Sequence, residues 1–358
     1  MNTNNQHTMP KIVNLGSCKV GEDQETYFIA EIGNNHNGDF FIAKKSIEEA
    51  AKAGAHAVKF QKRFISETFA KELSEKPQNN GAIKGDTYGE YREGLEFSFE
   101  DFISLKKVAE ENKVDFFVTP FDIKSADFLE EIGVPFYKIA SFDLTNLPLL
   151  EHVAKFGKPI ILSTGMASHE EVKEAVSVIT KHHKDLILLH CVSVYPTPDE
   201  HINLGSMQSL INSFPEIPVG YSGHEQDILP SLIAISQGAT IIERHFTLSR
   251  FLPGPDHGSV SIEPDVFREL VDGSLRIRAM QGGSEKILHN EEQAARDKHS
   301  KSIVVATPIS KGTVITSEML TCKSPGYGMK PRLLPTVIGK TAIADIEEDT
   351  VLRAEDIE

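Results

Sequence analysis

The chain of 358 residues is 40% hydrophobic and 25% charged, the balance of a folded globular protein with length to spare beyond a single ordinary core. Its formal net charge of −15 argues against sequence-independent binding to nucleic acid or to an anionic membrane surface, both of which need clustered Lys and Arg. Cys18, Cys191 and Cys322 lie too far apart for a zinc site or a disulfide framework, and no run approaches the ~18 apolar residues of a membrane span. The expectation is an untargeted, soluble, cytoplasmic protein.

In chain order, the start MNTNNQHTMPK is expected to fray, and residues 1–25 read as an N-terminal extension. From there short apolar runs alternate with amphipathic ones. The strand candidates are YFIAEIG, AVKFQ, DFFVTPF, FYKIAS, PIILST, LILLHC, PVGYS and TIIERHF. Between them FIAKKSIEEAAKAGA, FEDFISLKKVAEEN, KSADFLEEIG and HEEVKEAVSVITKHH have helical spacing. Eight strands with helices between them predict an α/β fold, a (β/α)8 TIM barrel over 26–283. The stretch 66–98 is long for a βα connection and reads either as part of a site or as a surface excursion. A charged connector spans 284–297, and beyond it short strands with turn signals at ISKG, PGYG and EEDT predict a small, mostly β domain over 298–358. Neither a P-loop nor a GxGxxG dinucleotide fingerprint is present.

A βα barrel carries its chemistry at the C-terminal ends of its strands. Those ends are polar here: Glu31, Lys59 with Gln61, Thr119, Lys138 with Ser141, Ser163 and Thr164, Ser193 with Tyr195, Ser222 with His224, and Glu243 with His245. Side chains alternate along a strand, so residues two apart share a face and point into one mouth. Two lysines among hydroxyls match a small, doubly anionic ligand carrying phosphate and carboxylate. His224 and His245 end consecutive strands and would stand side by side. Two histidines with oxygen ligands suit a divalent Mn, Co, Fe or Mg ion better than a structural zinc. Glu31 and Glu243 are candidates for proton transfer or for orienting a histidine, and Asp256 in PGPDH for a sugar hydroxyl. Each also has a plain structural use, as a helix cap, an ion-pair partner or part of a turn.

Nine segments in order, EIGNNHNG, KFQ, TPF, YKIAS, LSTGM, HCVSVYPTP, GYSGHE, ERHFTL and GPDH, resemble the sialic acid synthase family, and the C-terminal region is similar to its antifreeze-like (SAF) domain. The resemblance implies condensation of phosphoenolpyruvate with N-acetylmannosamine, or its 6-phosphate, to a nine-carbon 2-keto sugar acid and phosphate. It implies that Lys59, Thr119, Lys138, Ser141, Ser163 and Ser222 hold phosphoenolpyruvate, and that Gln61, Tyr195 and Asp256 contact the sugar. It further implies that His224 and His245 hold a divalent cation, Mn2+ before Mg2+ or Co2+, that Glu31 and Asp143 serve proton transfer or orientation, and that the protein is a domain-swapped homodimer. Some features depart from single branches. ASFD is closer to the ASFE of pseudaminic acid synthases, TYGEYREGLEFS and GYSGHE resemble animal-type enzymes taking the 6-phosphate, and PGPDH favours the sialic or legionaminic branch. Where many bacterial members place an arginine before PG in the terminal domain, this chain has Ser324, with Lys323 and Arg332 nearby. The alternatives are a legionaminic or pseudaminic acid synthase using a 2,4-diacetamido hexose, or a non-catalytic carbohydrate-binding protein on the same barrel.

Overall fold

The computed structural model describes residues 12–78, 85–254 and 256–358. The fraying expected for residues 1–11 and the centre of the long excursion, 79–84, lie outside the described residues. The chain forms two compact units that divide between Gly282 and Gly283.

The first unit is the expected barrel. Its eight strands are β3 (Tyr27–Gly33), β4 (Ala57–Lys62), β5 (Asp115–Pro120), β6 (Tyr137–Ile139), β7 (Ile160–Ser163), β8 (Leu186–Cys191), β9 (Val219–Gly223) and β10 (Ile241–His245). The registered ladders among them are parallel, and β10 returns to pair with β3, His245 opposite Glu31. The eight principal helices are α1 (Phe40–Lys52), α2 (Phe99–Glu111), α3 (Ile123–Ile132), α4 (Leu147–Ala154), α5 (His169–Thr180), α6 (Gly205–Ser213), α7 (Leu229–Ser236) and α8 (Pro264–Gln281). Their starts are written locally. Asp39 caps α1, Asp122 caps α3, and the boxes Ser98/Asp101 and Ser168/Glu171 open α2 and α5 by satisfying the free N–H groups of the first turn. Ahead of these, residues 13–20 form an antiparallel hairpin, β1 (Val13–Leu15) with β2 (Cys18–Val20).

Alternation along the strands sorts the residues. One face, with Phe28, Ala30, Val58, Phe60, Phe116, Val118, Leu162 and Leu188, packs among the helices in the larger core. The other face fills the barrel. At its N-terminal end Ile29, Ala57, Phe117, Phe136, Ile161, Ile187, Leu189 and Ile241 form a closed apolar layer, joined by Val13, Leu15 and Val20 of the hairpin. Gly220 belongs to this packing, because a Cβ there would stand 2.5 Å from the Ile241 carbonyl oxygen and 2.8 Å from Leu189 Cδ2. Two residues further along each strand the same face turns polar, so the apolar plug forms the floor of whatever binds above it.

The second unit is built on β11 (Ser302–Val305) paired antiparallel with β12 (Leu320–Lys323), with bridges such as Ile309 to Ile346 and Ala342 to Ile357. Ile303, Val305, Ile315, Val337 and Leu352 form its own core. Ser324 is engaged inside this unit: it accepts from Lys301 Nζ at 2.8 Å and donates to the His299 carbonyl at 2.9 Å. Lys323 pairs with Asp349, and Arg332 is exposed. Among the described residues no helix is long and apolar enough to cross a membrane.

Candidate active site

Thirteen of the fourteen residues singled out from sequence line one cavity of about 210 Å³ at the C-terminal end of the barrel, all of them except Asp143. Strand register brings them together. Glu31 is opposite Lys59, Gln61 opposite Thr119, and Ser222 opposite Glu243. Asp143 lies in the 3-10 turn Ser141–Asp143, accepts from Asn146 Nδ2 at 3.0 Å, and faces an adjoining cavity.

Lys59 stands between two buried carboxylates, with Nζ 3.2 Å from Glu31 Oε2 and 3.4 Å from Glu243 Oε1, and donates to Thr119 Oγ1 at 3.4 Å. Lys138 donates to Ser163 Oγ at 2.6 Å and lies 3.9 Å from Glu243 Oε1, which also accepts from Ser222 Oγ at 3.1 Å. Burial disfavours the charge on each of these groups, and the neighbours decide the outcome. Lys59 ends above its usual range because Glu243 and Glu31 outweigh burial. Lys138 is pushed down to about 8, chiefly by burial, with Glu243 opposing and Lys59 assisting. Glu31 is raised by burial that Lys59 only partly offsets, whereas Glu243 is lowered because both lysines overcome its burial. The two carboxyl groups are thereby driven apart: one tends to hold a proton and the other to remain a carboxylate.

The histidines stand where the strand ends put them, ring centroids 5.4 Å apart, with the Tyr195 ring 4.1 Å from His224. His224 Nδ1 lies 2.8 Å from the Val192 carbonyl, which fixes a proton on that nitrogen and leaves Nε2 its lone pair. His245 is kept neutral by burial, its pKa well below the usual value, and its Nδ1 is buried without a partner. Glu243 Oε2 is likewise buried and unpartnered. Two imidazoles with ring nitrogens to spare suit a divalent cation as donors, while among the described residues no group of three His, Cys, Asp or Glu side chains is gathered round one point. Cys191 Sγ sits 3.9 Å from His224 Nδ1, and the two shift each other toward the ionised pair against the opposing effect of burial: the thiol is lowered and the imidazole raised. A proton on His224 therefore competes with a cation for its free ring nitrogen.

Behind the strand ends, on the outer side of the barrel wall, a second buried group ties the histidine-bearing strands together. Arg244, fully buried, pairs with Glu225 at 2.9 Å and donates to the carbonyls of Asp227 and Glu225. Tyr221 and Ser231 donate to the two oxygens of the same carboxylate.

Sequence reasoning missed three residues of the site, and it placed Ser193 at a strand end without giving it a role. Asn34, Arg63 and Arg92 line the cavity. Ser193 Oγ is buried with no partner, and with Ser141 Oγ it crowds Gly165, whose ideal Cβ position is 2.5 Å from the first hydroxyl and 2.7 Å from the second. The glycine lets both hydroxyls and its own N–H, which donates to Ser141 Oγ at 3.0 Å, meet at one spot. Arg63 had a legible signal, standing two residues after Gln61. Arg92 had none, since it comes from the long excursion, whose second half therefore does reach the site.

Residues 46–286 match the NeuB family, and residues 300–358 match the SAF domain. The chain is 37% identical to the human N-acetylneuraminate-9-phosphate synthase, covering 94% of each chain. It is 36% identical to the N,N'-diacetyllegionaminic acid synthase of Legionella pneumophila, covering 94% of this chain and 96% of that one. Among solved structures, an N-acetylneuraminic acid (sialic acid) synthetase from Leptospira borgpetersenii, in complex with citrate, superposes with a TM-score of 0.71 at 38% identity over 81% of this chain and 96% of the other.

Proposed function

The chain belongs to the NeuB family, ends in a SAF domain and is a synthase of the sialic acid type, and from that premise we propose that it condenses phosphoenolpyruvate with N-acetylmannosamine or its 6-phosphate. The observation that carries the reading is the convergence of two lysines, a set of hydroxyls and two histidines over one apolar floor. The lysines and hydroxyls answer a phosphate and a carboxylate, and the histidines answer a cation.

In this reading Lys59, Lys138, Thr119, Ser141, Ser163 and Ser222, with Ser193 as an added hydroxyl, hold phosphoenolpyruvate. Gln61, Tyr195 and Asp256 hold the aldose. His224 and His245 would hold a divalent cation, Mn2+ in our proposal, which when bound polarises the open-chain aldehyde. The new bond joins C3 of phosphoenolpyruvate to the aldehyde carbon. Glu31, the carboxyl raised by burial, is the group able to carry a proton to the developing alkoxide. Glu243, kept ionised between the two lysines, faces the positive charge left at C2. Water adds at C2, and phosphate leaves toward Lys138 and the serines. Holding both substrates over the same floor supplies much of the rate. Asp143, in the adjoining cavity, acts in this scheme on substrate orientation only.

The test is phosphate release from phosphoenolpyruvate in the presence of Mn2+, with N-acetylmannosamine, its 6-phosphate and a 2,4-diacetamido hexose offered in parallel. Release with either of the first two supports the reading. Release with the third alone transfers the chain to the legionaminic branch, which the Legionella relative represents, or to the pseudaminic one. No release with any of the three overturns it.

A further inference from the structure

The cavity assigned to the substrates shares part of its lining with a second one of about 490 Å³: Arg63, Arg92, Phe121 and Phe142 line both. Arg63 is only 6% exposed. Its guanidinium lies flat against Phe121, 3.6 Å from the ring centroid, and its one side-chain hydrogen bond among the described residues is to Gln61 Oε1 at 2.8 Å. No carboxylate stands within ion-pair distance of Arg63 or of Arg92 among the described residues. Arg92 donates to Tyr88 OH at 3.0 Å. The two guanidiniums repel one another, and Arg63 is pushed down to about 10, first by burial and then by Arg92, with Glu96 opposing only in part.

The nearby carboxylates have other partners: Glu96 accepts from Lys62 Nζ at 2.9 Å and from the Arg63 backbone N–H at 3.1 Å. Asp122 is spent on the Phe64 and Ser125 N–H groups and the Thr68 and Ser125 hydroxyls. Asp143 accepts from Asn146 Nδ2 at 3.0 Å, and burial raises both Asp143 and Asp256 although Arg63 and Arg92 oppose it. The anions of phosphoenolpyruvate already have Lys59 and Lys138. Two arginines left over at the boundary of the cavity therefore call for a third anion.

We infer that Arg63 and Arg92 form the site for an anionic group on the far end of the second substrate, a phosphate monoester on the carbon most distant from the aldehyde. The inference rests on the reading of the main cavity as an aldose site, and it deepens that reading by selecting the phosphorylated sugar over the free one. A planar, multidonor guanidinium pair is suited to phosphate, and the flanking aromatic rings hold the forks in place before the ligand arrives.

The experiment measures binding of N-acetylmannosamine 6-phosphate and of N-acetylmannosamine by calorimetry on the full chain, together with kcat/KM for each against phosphoenolpyruvate. The wild-type chain is expected to favour the phosphorylated sugar by tenfold or more. R63Q and R92Q should each reduce that ratio at least tenfold, and R63K, which keeps the charge without the fork, should recover part of it. Arg92 is only partly buried, so R92Q carries the test even where R63Q folds poorly. A wild-type chain that binds and condenses both sugars alike overturns the site and leaves the reaction standing, as does a ratio that neither substitution moves. Failure of both sugars to bind or react overturns the aldose reading and the site with it.

Discussion

Arg244→Met tests whether the pair behind the histidines sets their positions. The substitution removes the countercharge 2.9 Å from Glu225 and strips donors from the Asp227 and Glu225 carbonyls, while Tyr221 and Ser231 still hold the carboxylate in place. Breaking one side of a buried pair costs about 3–5 kcal/mol. Unfolding entropy of about 2.1 cal/mol/K per residue over the unit Met1–Gly282 gives about 0.6 kcal/mol/K, so the melting temperature should fall by about 5–8 °C. His224 directly precedes Glu225 and His245 directly follows Arg244, so loosening the pair should also weaken Mn2+ binding, by about tenfold or more in a calorimetric titration below the melting range. The double variant R244M/E225Q removes the stranded charge and should recover at least ~1 kcal/mol of the loss. A melting temperature within about 2 °C of wild type for R244M, or a double variant no more stable than the single one, would refute the reasoning.

Other outcomes follow from the same geometry. His224→Ala or His245→Ala should abolish stoichiometric Mn2+ binding and turnover together, whereas His257→Ala, whose ring is occupied with Thr247 Oγ1 at 2.6 Å, should keep the metal; full occupancy in either of the first two variants contradicts the assignment. Lys138 carries its proton below about 8 and loses it above, so kcat/KM for phosphoenolpyruvate should hold steady below that pH and fall through it, and Lys138→Met should abolish this limb of the profile. Gly165→Ala forces a methyl group against the Ser141 and Ser193 hydroxyls. Losing one charge-assisted hydrogen bond there, about 1.5–3 kcal/mol, should raise KM for phosphoenolpyruvate by about tenfold or more, and an unchanged KM would remove both hydroxyls from the phosphate site.

Much of the cavity was legible because two short-range rules agree with one topological rule. Period-2 alternation placed Ile29 and Glu31, Ala57 and Lys59, Phe117 and Thr119, Ile241 and Glu243 on shared inward faces, and a barrel sends all such faces to one axis. That parity does not reach the rest. Arg92 arrives from the long excursion, Ser193 from the loop after β8, and Asp143, although adjacent in sequence to a strand end, is turned into the neighbouring cavity by a 3-10 turn.

The buried pair shows the opposite kind of limit. Arg244 lies between Glu243 and His245, and Glu225 follows His224, so both pairs of neighbours were in plain view as ERH and GHE. Parity sends Glu243 and His245 inward and therefore sends Arg244 outward, to a side where a barrel strand normally meets only helices. An ion among helices is costly unless its partner is fixed within reach. The ladder supplies that reach, because Arg244 is registered opposite Gly223, and a Cβ on Gly223 would lie 2.5 Å from Glu225 Oε2. The glycine between Ser222 and His224 is therefore what lets the Glu225 carboxylate fold back across the strand to Arg244. Gly223→Ala should uncouple the pair, lowering the melting temperature and weakening Mn2+ binding in the same direction as R244M without altering a charged residue. If it does neither, the clamp does not depend on this close approach.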